Sequence, residues 1–152
     1  MSSIFKSIRN ACIRRNFFKK NNLFFEIGPG TGALTDHLIG QNIKIIAMDL
    51  DHRNVVTLSE KFTETGHEFI HGDVLKEPLN FLQEAKHRIV GNLPYNISTQ
   101  ILAKWIKIIH LNKTFKRFIL MFQKEVGERI VADTNKKNYG RLSILTSWRM
   151  NV

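Results

Sequence analysis

Leu23-Phe24-Phe25-Glu26-Ile27-Gly28-Pro29-Gly30-Thr31-Gly32 is the stretch that decides the fold. An apolar run interrupted by a single acid leads into glycines at alternate positions, and a helical pattern follows over 33–41, closing at Gly40. A short apolar run punctuated by glycine reads as a buried strand ending in a tight turn. The same alternation continues down the chain. Ile43-Lys44-Ile45-Ile46-Ala47-Met48 is a second strand ending at Asp49. A helix over 54–65 follows, with Asp51 as a candidate N-cap and Gly66 as its stop. Glu68-Phe69-Ile70-His71, Arg88-Ile89-Val90-Gly91 and Phe118-Ile119-Leu120-Met121-Phe122 are further strands. Ile97, Ile101, Leu102, Trp105, Ile106 and Ile109 recur at helical spacing, which predicts a helix over 98–110. Two more helical patterns, 125–133 and 142–149, flank a polar loop at 134–140. Strands alternating with helices predict an α/β fold, a mostly parallel sheet of about five strands with helices on both faces. In such sheets ligands bind beyond the carboxyl ends of the strands, at the places where this chain carries its unusual residues.

The chain has 152 residues, enough for one domain spanning 1–152, with no internal repeat or low-complexity linker. Its net charge of +10 attracts anionic partners, nucleic acid ahead of anionic membrane. The single cysteine, Cys12, rules out a disulfide within the chain and fits a reducing compartment, with a cytoplasmic location expected and a mitochondrial one as the alternative. No apolar run approaches the roughly 20 residues of a membrane span, so no membrane partner is expected. Residues 1–22 are basic and carry no acid. They read as a transit peptide or as a basic amphipathic helix with Ile4, Phe5, Ile8 and Cys12 on its apolar stripe, and the lack of a spacer before the first strand favours the helix. Trp105 and Trp148 are expected in the core. Lys104, Lys107, Lys113, Lys116 and Arg117 form a basic run, either a solvated face or an RNA contact. The six histidines show no metal-ligand spacing, and no metal is expected.

Four groups of residues carry the chemistry. The first is the turn with Gly28, Gly30 and Gly32 and the preceding Glu26. Its glycines let backbone approach a ligand closely, while the acid repels phosphate and suits a cationic amino group, such as that of S-adenosylmethionine. Asp49, at the end of the second strand, can accept hydrogen bonds from ribose hydroxyls. Asp73 can accept one from an adenine amino group, and Val74 can cover the ring. The sharpest signal is Asn92-Leu93-Pro94-Tyr95. Adenine N6 is a poor nucleophile because its lone pair is delocalised into the ring. The Asn92 side-chain oxygen and a main-chain carbonyl exposed by the Pro94 turn can hold that amino group in line with a sulfonium methyl. Tyr95 can stack on the base once it leaves its RNA stack.

Residues 26–35 (EIGPGTGALT), Gly72-Asp73-Val74, 91–99 (GNLPYNIST), 123–132 (QKEVGERIVA) and 139–143 (YGRLS) together resemble the ribosomal RNA adenine dimethyltransferases. The resemblance covers about 25–148. It implies a Rossmann-like methyltransferase fold and S-adenosyl-L-methionine-dependent N6-dimethylation of adenosines in small-subunit ribosomal RNA. The implied partner is the immature small ribosomal subunit, and the implied state a monomer. By resemblance Glu26, Gly28, Gly30, Gly32, Asp49, Asp73, Val74 and Asn92 contact the cofactor, and Asn92, Leu93, Pro94 and Tyr95 handle the target adenine. The family often has Glu where this chain has Asp49. It also carries a Gly-Gln-Asn-Phe-Leu segment before the first strand, of which Arg15-Asn16-Phe17-Phe18 is only a faint echo. A terminal strand pair and a C-terminal helical domain of the family are expected to be missing. The alternative functions are a non-catalytic ribosome-binding remnant and a methyltransferase acting on a protein or small molecule.

Overall fold

The computed structural model describes residues 3–14, 23–39, 43–78, 82, 87–111 and 115–152. In chain order the elements are α1 (Ser3–Arg14), β1 (Leu23–Ile27), α2 (Thr35–Ile39), β2 (Lys44–Asp49), α3 (His52–Lys61), β3 (Glu68–His71), β4 (His87–Asn92), α4 (Ser98–Leu111), β5 (Phe115–Met121), α5 (Lys124–Ile130) and α6 (Arg141–Arg149). The strands form a five-stranded sheet in the order β3-β2-β1-β4-β5, and every pairing is parallel. The first strand of the sequence is thus the middle strand of the sheet. The chain builds outward from β1 to one side and then crosses back to the other, so a crevice opens beyond the end of β1.

The apolar runs do not alternate in sequence because both faces of the sheet are covered. In space they do alternate. Phe25, Ile27, Ile46, Met48 and Ile89 join Leu93, Ile101 and Trp105 in one core cluster. Phe24, Ile45, Ala47 and Val90 join Ile8, Cys12, Leu34 and Leu38 in another. The expected N-terminal helix is α1, and it packs through Ile8 and Cys12. Burial pushes the Cys12 thiol up to about 12, so it is an unreactive core residue. The side chains of Ile4 and Phe5, the 15–22 segment and the expected helix stop at Gly40 lie outside the described residues. No described helix is long and apolar enough to cross a membrane.

Several boundaries differ from the sequence pattern. The helix expected over 33–41 is the short α2, because the glycine turn continues through Leu34. The helix expected from residue 54 starts at His52, immediately after Asp51, whose Oδ1 accepts from Arg53 N at 2.9 Å. β5 starts at Phe115, before the apolar run, and α5 ends at Ile130.

The expectation of two core tryptophans holds for Trp105, which is 0% exposed, and fails for Trp148, which is 61% exposed. Instead α6 turns hydroxyls inward. Ser143 Oγ donates to Arg129 O at 2.6 Å and Thr146 Oγ1 to Ile130 O at 3.1 Å. These bonds satisfy carbonyls at the end of α5. Trp148, two positions past Thr146, falls on the opposite side of the helix, where the Arg149 guanidinium lies 3.6 Å from its ring centroid. Ser143→Ala leaves Arg129 O without its donor and should cost about 1–2 kcal/mol in urea unfolding. Ser143 bonds none of the residues of the strand-end turns, so ligand binding there should not change.

Candidate functional site

The strand ends are level. Ile27 lies opposite both Met48 and Gly91, and Asp49 lies opposite His71. The turns after β3, β2, β1 and β4 therefore stand side by side in that order, carrying Asp73, Asp49, the 28–32 loop and Asn92. Asp49 and Asp73 sit on adjacent strand ends, as the sequence pattern requires.

The loop after β1 is held open by its glycines. Gly28, Gly30 and Gly32 have φ of 63°, 55° and 86°, conformations that other residues adopt only with strain. A Cβ on Gly28 or Gly30 would meet nothing within 4 Å, so the backbone there borders open space that a ligand can enter. Asp49 fastens the loop from the side: its Oδ2 accepts from Gly30 N at 2.9 Å and its Oδ1 from Asp51 N at 2.8 Å. A carboxylate has about four acceptor positions, so Asp49 retains capacity for a ribose hydroxyl while being only 8% exposed.

Glu26 is placed differently from the rest. It points to the α2 side of β1, is 1% exposed, and accepts from Thr35 Oγ1 at 2.8 Å. Burial pushes its carboxyl up to about 7; the Thr35 bond opposes the shift, and the nearby charges of Asp36 and Asp49 add to it. The acid lies beneath the loop, and its charge is a property of the loop's foundation.

After β3, Asp73 Oδ1 accepts from Leu75 N at 2.9 Å, and Val74 is 8% exposed within the core. Lys104 was expected in a solvated or RNA-facing run; its Nζ instead donates to Val74 O and Glu77 O at 2.7 Å each. Lys107 and Arg117 are exposed, whereas Lys113 and the side chain of Lys116 lie outside the described residues. The sequence signal for Lys104 was its position between Ile101 and Trp105 on a buried helix.

After β4 the 92–95 segment divides its roles. Asn92, Pro94 and Tyr95 are exposed, Tyr95 by 63%, while Leu93 is 2% exposed and anchors the turn in the core. Pro94 O accepts from Ile97 N at 3.2 Å and Tyr95 O from Ser98 Oγ at 3.2 Å, which leads the turn into α4. Close approach is built in just before it: a Cβ on Gly91 would lie 2.9 Å from Ile27 O, so only glycine lets β4 lie this near β1. Among the described residues no group of three His, Cys, Asp or Glu side chains is placed to hold a metal ion.

A dimethyladenosine transferase from Plasmodium falciparum has a solved structure that superposes on this chain with a TM-score of 0.75 and 31% identity, covering 93% of this chain and 50% of that one. The 23S rRNA methyltransferase ErmE matches with a TM-score of 0.66 at 22% identity, a likeness of fold alone. The Rossmann-like methyltransferase fold follows from these likenesses and the sheet order. Among curated proteins, ribosomal RNA small subunit methyltransferase A of Pelagibacter ubique is 45% identical over 133 residues, 87% of this chain and 50% of that protein. Its namesake from Ehrlichia chaffeensis is 44% identical over 131 residues, 84% of this chain and 48% of that protein. The chain spans about half the length of these relatives. A family model for ribosomal RNA adenine dimethylase matches residues 4–152, from the first turn of α1 through α6. That match extends well beyond the strand-end loops that methyltransferases share, and the chain belongs to the ribosomal RNA adenine dimethylase family.

Proposed function

We propose that this chain binds S-adenosylmethionine and transfers its methyl group to adenine N6 in small-subunit ribosomal RNA, twice per base. The supporting observation is the meeting of the open glycine loop, Asp49, Asp73 and the exposed Asn92 turn on four neighbouring strand ends. The donor set fits the cofactor: carboxylates for ribose and adenine amino groups, and no phosphate-binding charge in the glycine loop. When bound, the cofactor supplies an electrophilic methyl on a sulfonium. Gly28 and Gly30 would take its amino-acid end, Asp49 would accept from the ribose, and Asp73 and Val74 would hold its adenine. Glu26 acts from beneath the loop.

The target base is held by the other end of the site. Asn92 Oδ1 and the Leu93 carbonyl accept N–H bonds from its amino group, which directs the N6 lone pair at the methyl and stabilises the tetrahedral arrangement of attack. Tyr95, already exposed, stacks on the flipped ring. The proton displaced from N6 leaves to water at this open turn. The same reading makes the chain a cytoplasmic monomer whose substrate is the immature small subunit.

The test is transfer of labelled methyl to immature small subunits, with dimethyladenosine read by mass spectrometry. Binding of RNA and cofactor without transfer would make the chain a binding module. Tyr95→Ala should lose about 1–3 kcal/mol of base stacking, read as a raised KM for RNA, while Tyr95→Phe should stay near the unmutated value.

A further inference from the structure

α4 starts at the end of the target-base turn and buries Ile101, Leu102, Trp105 and Ile106 against the sheet and its neighbours. Lys104 stands among these positions, and its ammonium bridges Val74 O and Glu77 O. Both carbonyls belong to the turn after β3. Asp73 closes that turn from its start: Lys76 N and Glu77 N donate to Asp73 O at 2.9 Å each, and Leu75 N donates to its side chain. Lys104 fastens the turn's far end to α4. Burial lowers the Lys104 pKa, and the carboxylates of Asp73 and Glu77 oppose that shift, so the ammonium also lies in the field of Asp73.

We propose that Lys104 is a positioning residue for the cofactor's adenine, holding the 73–77 turn against α4 so that Asp73 meets the 6-amino group and Val74 backs the ring. This rests on the assignment of Asp73 and Val74 to that adenine. Since Ser98 of α4 also bonds Tyr95 O, one helix sets the supports of both the cofactor's adenine and the target base. Charge-assisted bonds to two carbonyls fix geometry more firmly than water in the same place.

The test titrates the full chain with S-adenosylhomocysteine and with S-inosylhomocysteine, which carries an oxygen in place of the 6-amino group. The unmutated chain is expected to prefer the adenosyl ligand. Lys104→Met keeps the apolar stem and removes the ammonium; it should raise the Kd for the adenosyl ligand about tenfold and change that for the inosyl ligand less than about twofold. Lys104→Cys followed by aminoethylation rebuilds an ammonium of similar reach. Cys12 is 0% exposed with its thiol pushed up to about 12, so the reagent should act at position 104 alone. The treated chain should regain the preference, and comparing treated with untreated Lys104→Cys keeps the test readable if Lys104→Met proves unstable. A proportional loss for both ligands, or an unchanged preference, overturns the inference. Asp73→Ala, which removes the acceptor, tests the reading beneath it. If Asp73→Ala keeps the preference, the adenine assignment itself is wrong. If Asp73→Ala loses it and Lys104→Met does not, only the role of Lys104 falls. No binding of either ligand by the unmutated chain overturns both.

Discussion

Asn92→Ala lowers the rate of methyl transfer by about 100–1000-fold, equivalent to about 3–4 kcal/mol of barrier, and leaves the fold intact. The side chain is exposed at the end of β4, so its removal opens no cavity, and stability should stay within about 0.5 kcal/mol. What is lost is the acceptor that keeps the N6 lone pair aimed at the methyl. That interaction matters most as N6 becomes tetrahedral, so the loss falls on kcat and leaves the KM for RNA nearly unchanged. Asn92→Asp retains an acceptor oxygen and should lose less. Single-turnover transfer to immature subunits, beside urea unfolding of the same variants, measures both halves of the expectation. Full-rate transfer by Asn92→Ala would remove this residue from the catalytic assignment.

The sheet was legible because each strand ends in a residue that cannot continue it. Asp49, Gly72 and Asn92 mark ends that the parallel register then brings level. Boundaries set by tertiary contacts were less legible. Thr35 begins α2 only after a turn whose glycines take positive φ, a conformation the helical pattern over 33–41 does not encode. Trp148 was misplaced because an apolar residue near a chain's last helix resembles core. Ser143 and Thr146 hold α6 in the opposite rotation, by reaching the last carbonyls of α5. Such hydroxyl-to-carbonyl caps have no periodic signature. Lys104 was misread for a related reason: charge in a sequence suggests solvent, and only the fold shows which backbone oxygens an ammonium can reach. Site residues named by type were brought together, but Glu26 shows that being at a strand end does not say which way the side chain points.

Glu26→Gln separates from the unmutated chain as pH rises. The Glu26 carboxyl titrates at about 7 in the folded chain, against an ordinary value of 4.5. Because the folded value is raised, its contribution to stability is fully present below about pH 4.5 and is lost as pH climbs through about 7. The difference between these values corresponds to about 3 kcal/mol. Glutamine stays neutral throughout and keeps an acceptor for Thr35 Oγ1. Urea unfolding of both chains from about pH 4.5 to about pH 8 should therefore show the variant gaining on its parent by about 3 kcal/mol, with all other titrations cancelling in the difference. A flat difference would mean that the carboxyl ionises freely where it lies. The ligand supplies a second readout. A cationic amino group at the loop above Glu26 favours the ionised form, so cofactor binding near pH 6 should release a proton and tighten as pH rises toward 7. Calorimetry in buffers of different ionisation enthalpy counts that proton, and Glu26→Gln should abolish its release.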